Sequence, residues 1–124
     1  MNTEQAILGI LKHRENIHNK NMWHDPMQLS DSMTKLAVYN AYLADDMAGL
    51  HKSATDKAYK VYTEAKNAGE TASYSEQLSR GESTDQRYNY ENVQNIYKAT
   101  GNLISVIQSR LKVIENQRRQ EGIE

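Results

Sequence analysis

Cysteine and phenylalanine are absent from this chain of 124 residues, and proline occurs once. Without cysteine there is no disulfide, no thiolate metal site and no cysteine nucleophile, and a reducing cytoplasm is the expected compartment. An excess of one charge is missing too: 15 Lys and Arg stand against 16 Asp and Glu, for a formal net charge of -1. No global field draws the protein to nucleic acid or anionic lipid, so any such binding has to be local. No apolar run approaches the roughly 20 residues that span a bilayer, so no membrane partner is expected. The opening "MNTEQAILGILKHREN" has acid before base, and Gly9 and Lys12 interrupt its apolar run, so it does not read as a signal peptide.

Catalytic and cofactor signatures are missing as well. HExxH, GxxxxGK[ST] and GxGxxG do not occur. His13, His24 and His51 lack the helical pairing with carboxylates that a metal site uses, His18 has only Glu15 three residues before it with no second such pair, and "WHD" reads as a solvated turn. Asp45 and Asp46 are adjacent and diverge by about 100° on a helix, so they cannot serve one centre. The expectation is a protein that is not an enzyme, with no catalytic residue, cofactor or metal.

What is present favours helix: the apolar residues are mainly Leu, Ile, Ala and Met. Ile7, Ile10, Leu11, Arg14 and Ile17 fall near one face of a short first helix, which Gly9 weakens. "NKNMWHDPM" follows as a joint, with Trp23 expected to pin it. Next come Leu29, Met33, Leu36, Asn40, Leu43, Met47, Leu50 and Ala54 at alternating spacings of four and three, the seam of a coiled coil. It continues through Ala58, Val61 and Ala65 until Gly69 offers a stop. Val93, Ile96, Thr100, Leu103, Ile107, Leu111 and Ile114 form a second seam. A second helix of about 60 Å needs an equally long partner, and the third segment supplies it.

The predicted fold is therefore all-α and single-domain: a long antiparallel helical hairpin, coiled-coil-like, plus a short N-terminal helix. Helices are expected at about 3–18, 29–68 and 86–119, with a connection over 69–85. A bend centred near Gln77 would set Ala58 against Tyr97 and Ala65 against Tyr90. Ser73 with Glu76 and Ser83 with Gln86 fit the capping-box pattern, which places one helical turn inside the connection. A two-helix layer leaves its flanks wet, so a second copy is the expected partner, giving a homodimeric bundle.

Two sets of side chains stand out as candidate sites. Lys52, Lys57 and Lys60 surround Tyr59 and Tyr62, a pattern that could stack single-stranded nucleic acid, although Asp56 and Glu64 at ion-pair spacing favour a solvated face. Tyr39, Tyr42, Tyr74 and Arg80 are candidates for contact with a protein partner, since exposed tyrosines enrich interfaces. A non-catalytic protein-interaction module is the first functional expectation, and a single-strand-binding accessory factor in recombination or replication is the alternative. The stretch "YNYENVQNIYKATGNLISVIQSRLKVIENQ", with "ILKHRENI" near the start, resembles small helical accessory proteins of temperate phages of Gram-positive bacteria. That resemblance implies a helical hairpin in a bacterial cytoplasm, working near recombination or inhibiting a host protein, and it implies no site residue.

Overall fold

A computed structural model describes residues 1–122. It is all-α, with no strand among the described residues: α1 (Thr3–Asn19), a 3-10 turn (Met22–His24), α2 (Pro26–Asn67), α3 (Ala72–Glu82) and α4 (Thr84–Gln120). The long helices pack against each other in a bundle-like arrangement. None of these helices is long and apolar enough to cross a membrane, among the described residues. Two compact units are distinguished: Met1–Leu43 with the chain from Ile96 onward, and Ala44–Asn95.

The helix ends follow from local chemistry. Asn2 accepts from the Gln5 amide at 2.9 Å while the Gln5 side chain accepts from the Asn2 amide at 3.0 Å, a reciprocal capping box. α2 starts at Pro26, earlier than expected. Proline at the first helical position forfeits an N–H that has no helical partner anyway, and Asp25 Oδ1 accepts from the Met27 and Gln28 amides, each at 3.1 Å. The helix ends where Gly69 was expected to stop it. Gly69 adopts φ 90°, and the amides of Gly69 and Glu70 turn back to the carbonyls of Lys66 and Ala65 at 3.0 and 3.1 Å. This is a Schellman closure, which needs a left-handed residue.

In the first unit, the core is built from Ala6, Ile10 and Ile17 of α1, Leu29, Leu36 and Leu43 of α2, and Ile107 and Ile114 of α4, all buried. Of the seams read from the spacing, Leu29, Leu36, Leu43, Ile107 and Ile114 are buried, while Met33, Ile96, Leu103 and Leu111 are half-buried. On α1 the stripe is shifted: Leu11 is 47% exposed and Arg14 is exposed, while Ala6 joins the core. Asn40, on the seam, donates to the Tyr97 carbonyl at 3.3 Å, and Thr100 turns its hydroxyl onto the Ile96 carbonyl at 2.7 Å. Polar seam residues are thus tied to backbone. The joint is held by Arg110, whose Nε donates to the Trp23 carbonyl at 2.7 Å and whose Nη2 lies 3.1 Å from His24 Nδ1.

His13 lies on the α1 face that meets Tyr39, with ring centroids 6.1 Å apart, and its Nδ1 is buried without a partner. Burial, followed by the positive charges of Lys35 and Lys12, holds its pKa below the ordinary 6.5. The unfolded chain therefore binds this proton more readily than the folded one. Its contribution to stability is fully present above the ordinary value and is lost as pH falls from there through the lowered value of the folded state. Urea titrations below pH 7 should show stability dropping with acid, and His13→Asn should flatten that part of the profile. An unchanged slope in the variant would place the protonation elsewhere.

In the Ala44–Asn95 unit the interior is of smaller residues: Ala54, Val61, Ala65, Ser75, Ser79, Ser83 and Val93 are buried. The connection expected over 69–85 is mostly α3, 11 residues long. Its cap is Thr71, which accepts from the Tyr74 amide at 3.2 Å, in place of the expected Ser73. Ser83 likewise does not cap α4. Its hydroxyl donates back to the Ser79 carbonyl at 2.8 Å, while the Arg87 amide reaches the Ser83 carbonyl at 3.0 Å, so α3 and α4 follow one another across a single residue. Ser75, Ser79 and Ser83 repeat every four residues on the buried face, and each satisfies its hydroxyl on a carbonyl.

This changes the register. Ser79 Oγ donates to the Ala58 carbonyl at 2.7 Å, so Ala58 faces Ser79 and not Tyr97. Tyr90 meets His51, with ring centroids 5.0 Å apart, and not Ala65. The bend lies at residues 68–71, because α3 already belongs to the returning limb.

Candidate protein-docking groove

The small residues that let α3 approach α2 also leave a trough beside it. α2 repeats Ala54 and Ala58 along the seam, and α3 places Ala72 and Ser79 across from them. Short side chains bring two helices close and cover little of the surface between them. The result is a groove of about 700 Å³ within the Ala44–Asn95 unit. Its walls are aromatic: Tyr59 and Tyr62 on α2, and Tyr90 with the His51 ring packed on it. Glu76, Arg87 and Glu91 supply its charge. A second hollow, of about 430 Å³, lies in the other unit beside Met33, Ala37, Val38 and Ile104.

The polar groups of the groove are engaged in holding helices. Ser79 is spent on the Ala58 carbonyl. Glu76 pairs with Arg80 at 3.6 Å, both side chains being well exposed. Arg87 Nη2 donates to the Arg80 carbonyl at 2.7 Å, which anchors the guanidinium near the end of α3 and leaves its remaining N–H groups for another acceptor. Among the described residues no three His, Asp or Glu side chains gather as a metal site would require.

The candidates read from the sequence are only partly assembled here. Tyr59, 71% exposed, and the half-buried Tyr62 line the groove. The lysines expected beside them do not. Lys57 is five residues from Tyr62, about 140° around the helix, and Lys60 is about 160° from it, so Lys57 and Lys60 leave the face that carries the rings. Lys52 and Lys60 are exposed, and Lys57 is half-buried. The carboxylates of Glu76 and Glu91 then sit where a phosphate backbone would need cations.

Of the partner-binding candidates, Tyr39 is occupied within the chain, half-buried against α1 at Gly9 and His13. Tyr42 is half-buried, Tyr74 is 49% exposed, and the Arg80 side chain is exposed; none of the three lines the groove. His51, Arg87, Tyr90 and Glu91 were missed. The run of alanines replacing leucines along the seam at 54, 58 and 65 was the available signal, since a seam that narrows must either close tightly or leave a trough.

No protein-family model, curated protein or solved structure matches this chain.

Proposed function

We propose that the chain is a non-catalytic protein-interaction module whose docking face is the groove of the Ala44–Asn95 unit, and that this groove takes an amphipathic helical surface. One observation carries the reading: an alanine-floored trough between antiparallel helices, walled by the exposed Tyr59 and the half-buried Tyr62 and Tyr90. A small-residue floor admits a third helix at the usual 8–10 Å between axes, and the tyrosine walls bury large area at low entropy cost. Helix-in-groove recognition uses such a geometry.

The test is binding of a fluorescent amphipathic helical peptide with Leu and Ala at i, i+3, i+4 and i+7. Ala58→Trp, which fills the floor, should weaken it roughly tenfold or more, about 1.4 kcal/mol. Val38→Trp, in the other unit, should leave it unchanged. Equal affinity in both variants would overturn the reading. Binding of a single-stranded oligonucleotide that falls with salt and is lost in Lys57→Glu with Lys60→Glu would put the nucleic-acid alternative in its place.

A further inference from the structure

Acid outweighs base along the groove. Once Lys57 and Lys60 leave the side of α2 that lines it, Arg87 is its one Lys or Arg among the described residues, against Glu76 and Glu91. The Arg87 guanidinium is drawn back by its bond to the Arg80 carbonyl at 2.7 Å, and Arg80 itself pairs with Glu76. Both guanidinium charges are thus held on the Glu76 side. Ser79 lies at Ala58 and Tyr90 lies at His51, so the wall made by α3 and α4 runs down α2 from Tyr62 toward His51, and Glu91 stands at the His51 end. Glu91 is exposed and forms no ion pair among the described residues.

We propose that the helix taken by the groove is a basic one, with its apolar stripe on the alanine floor and a Lys or Arg at its flank meeting Glu91 at the His51 end; the assignment rests on reading the groove as a helix-docking face. A long basic side chain suits this lining. Its methylene stem lies along apolar surface and its charged head reaches a carboxylate or the face of a tyrosine ring, and the groove offers both. An acidic helix would instead bring its carboxylates against Glu91, and like charges set together at an interface cost affinity.

The charge of the whole unit has the same sign. Between Ala44 and Asn95 there are six Lys and Arg against nine Asp and Glu, a net charge of -3 in a chain whose total is -1. The near-neutral total hides a negative docking unit. Its field draws a cationic partner toward the groove and repels an anionic one, which sets the rate of encounter as well as the choice of partner.

The experiment measures, by fluorescence anisotropy on the full chain, the affinities of two helical peptides that share one Leu and Ala stripe and differ in their flanks, Lys in one and Glu in the other. At low salt the Lys peptide should bind roughly tenfold tighter or more, and added salt should narrow the gap because exposed charges are screened. Glu91→Lys should cut that gap severalfold, weakening the Lys peptide and strengthening the Glu peptide. Glu64→Lys makes the same change in net charge at an exposed position outside the groove and should move it less. Circular dichroism checks that both variants keep their helicity. Equal affinity for the two peptides, or a preference for the Glu peptide, would overturn the basic partner and leave the docking face standing. A preference that Glu64→Lys reduces as much as Glu91→Lys does would overturn the contact at Glu91. Binding of neither peptide would overturn the docking face as well.

Discussion

Leu36→Ala should destabilise the protein by about 3 kcal/mol, the middle of the range for emptying a buried leucine site. Leu36 is fully buried, as are Ile10, Ile17, Leu29, Leu43 and Ile107 around the same unit's core. Deleting its branched end removes the transfer energy of three carbons and leaves a void that rigid helices only partly close. In urea the midpoint should fall with little change in slope, and on heating the transition should drop by on the order of 10 °C. The same truncation at Val61 should cost roughly 1 kcal/mol, since valine loses fewer atoms and its surroundings are built of Ala and Ser. A loss at Leu36 no larger than at Val61 would mean that the interior of the first unit is not packed as described.

That contrast also explains how much of the fold was legible. Leucine and isoleucine at steps of three and four announce a buried face, because hydrophobic side chains at helical period have few other uses. Leu29, Leu36, Leu43, Val93, Ile107 and Ile114 were therefore placed in the interior from spacing alone. α3 escaped for the opposite reason. Its buried face is Ser75, Ser79 and Ser83, which hydropathy scores as solvent-facing, yet each hydroxyl is satisfied on a carbonyl and pays little for burial. Reading that helix as a loop then moved the bend by several residues and misaligned every facing pair across it.

The groove was legible to a similar degree. Tyr59 and Tyr62 were singled out as rings that could stack nucleic acid, and both line the groove. Lys57 and Lys60 were grouped with them by proximity in sequence, whereas angle around the helix decides which side chains act together. Arg87 and Glu91 carry no local motif. Their place in the groove exists only once α3 has set the register of α4 against α2, a long-range outcome that periodicity does not encode.

Gly9→Ala should destabilise the protein by on the order of 2 kcal/mol, even though alanine is the better helix former by roughly 1 kcal/mol. An added methyl carbon would lie 2.5 Å from Cζ of Tyr39 and 2.6 and 2.9 Å from Cε2 and Cε1 of the same ring, well inside any real contact. The far end of the ring lies against the glycine and the side chain is half-buried, so it must swing away or α1 must lift from α2. The glycine that looked like a weakness in α1 is therefore what allows α1 to dock. The consequence is a sign reversal that few other mechanisms would produce. In a Tyr39→Ala background the obstacle is gone, and Gly9→Ala should stabilise by up to about 1 kcal/mol through propensity alone. Stabilities of the wild type, both single variants and the double variant, taken from urea unfolding, give a coupling of about 2–3 kcal/mol on this account. If Gly9→Ala stabilises the protein in both backgrounds, α1 does not rest on Tyr39, and His13 loses the burial that lowers its pKa as well.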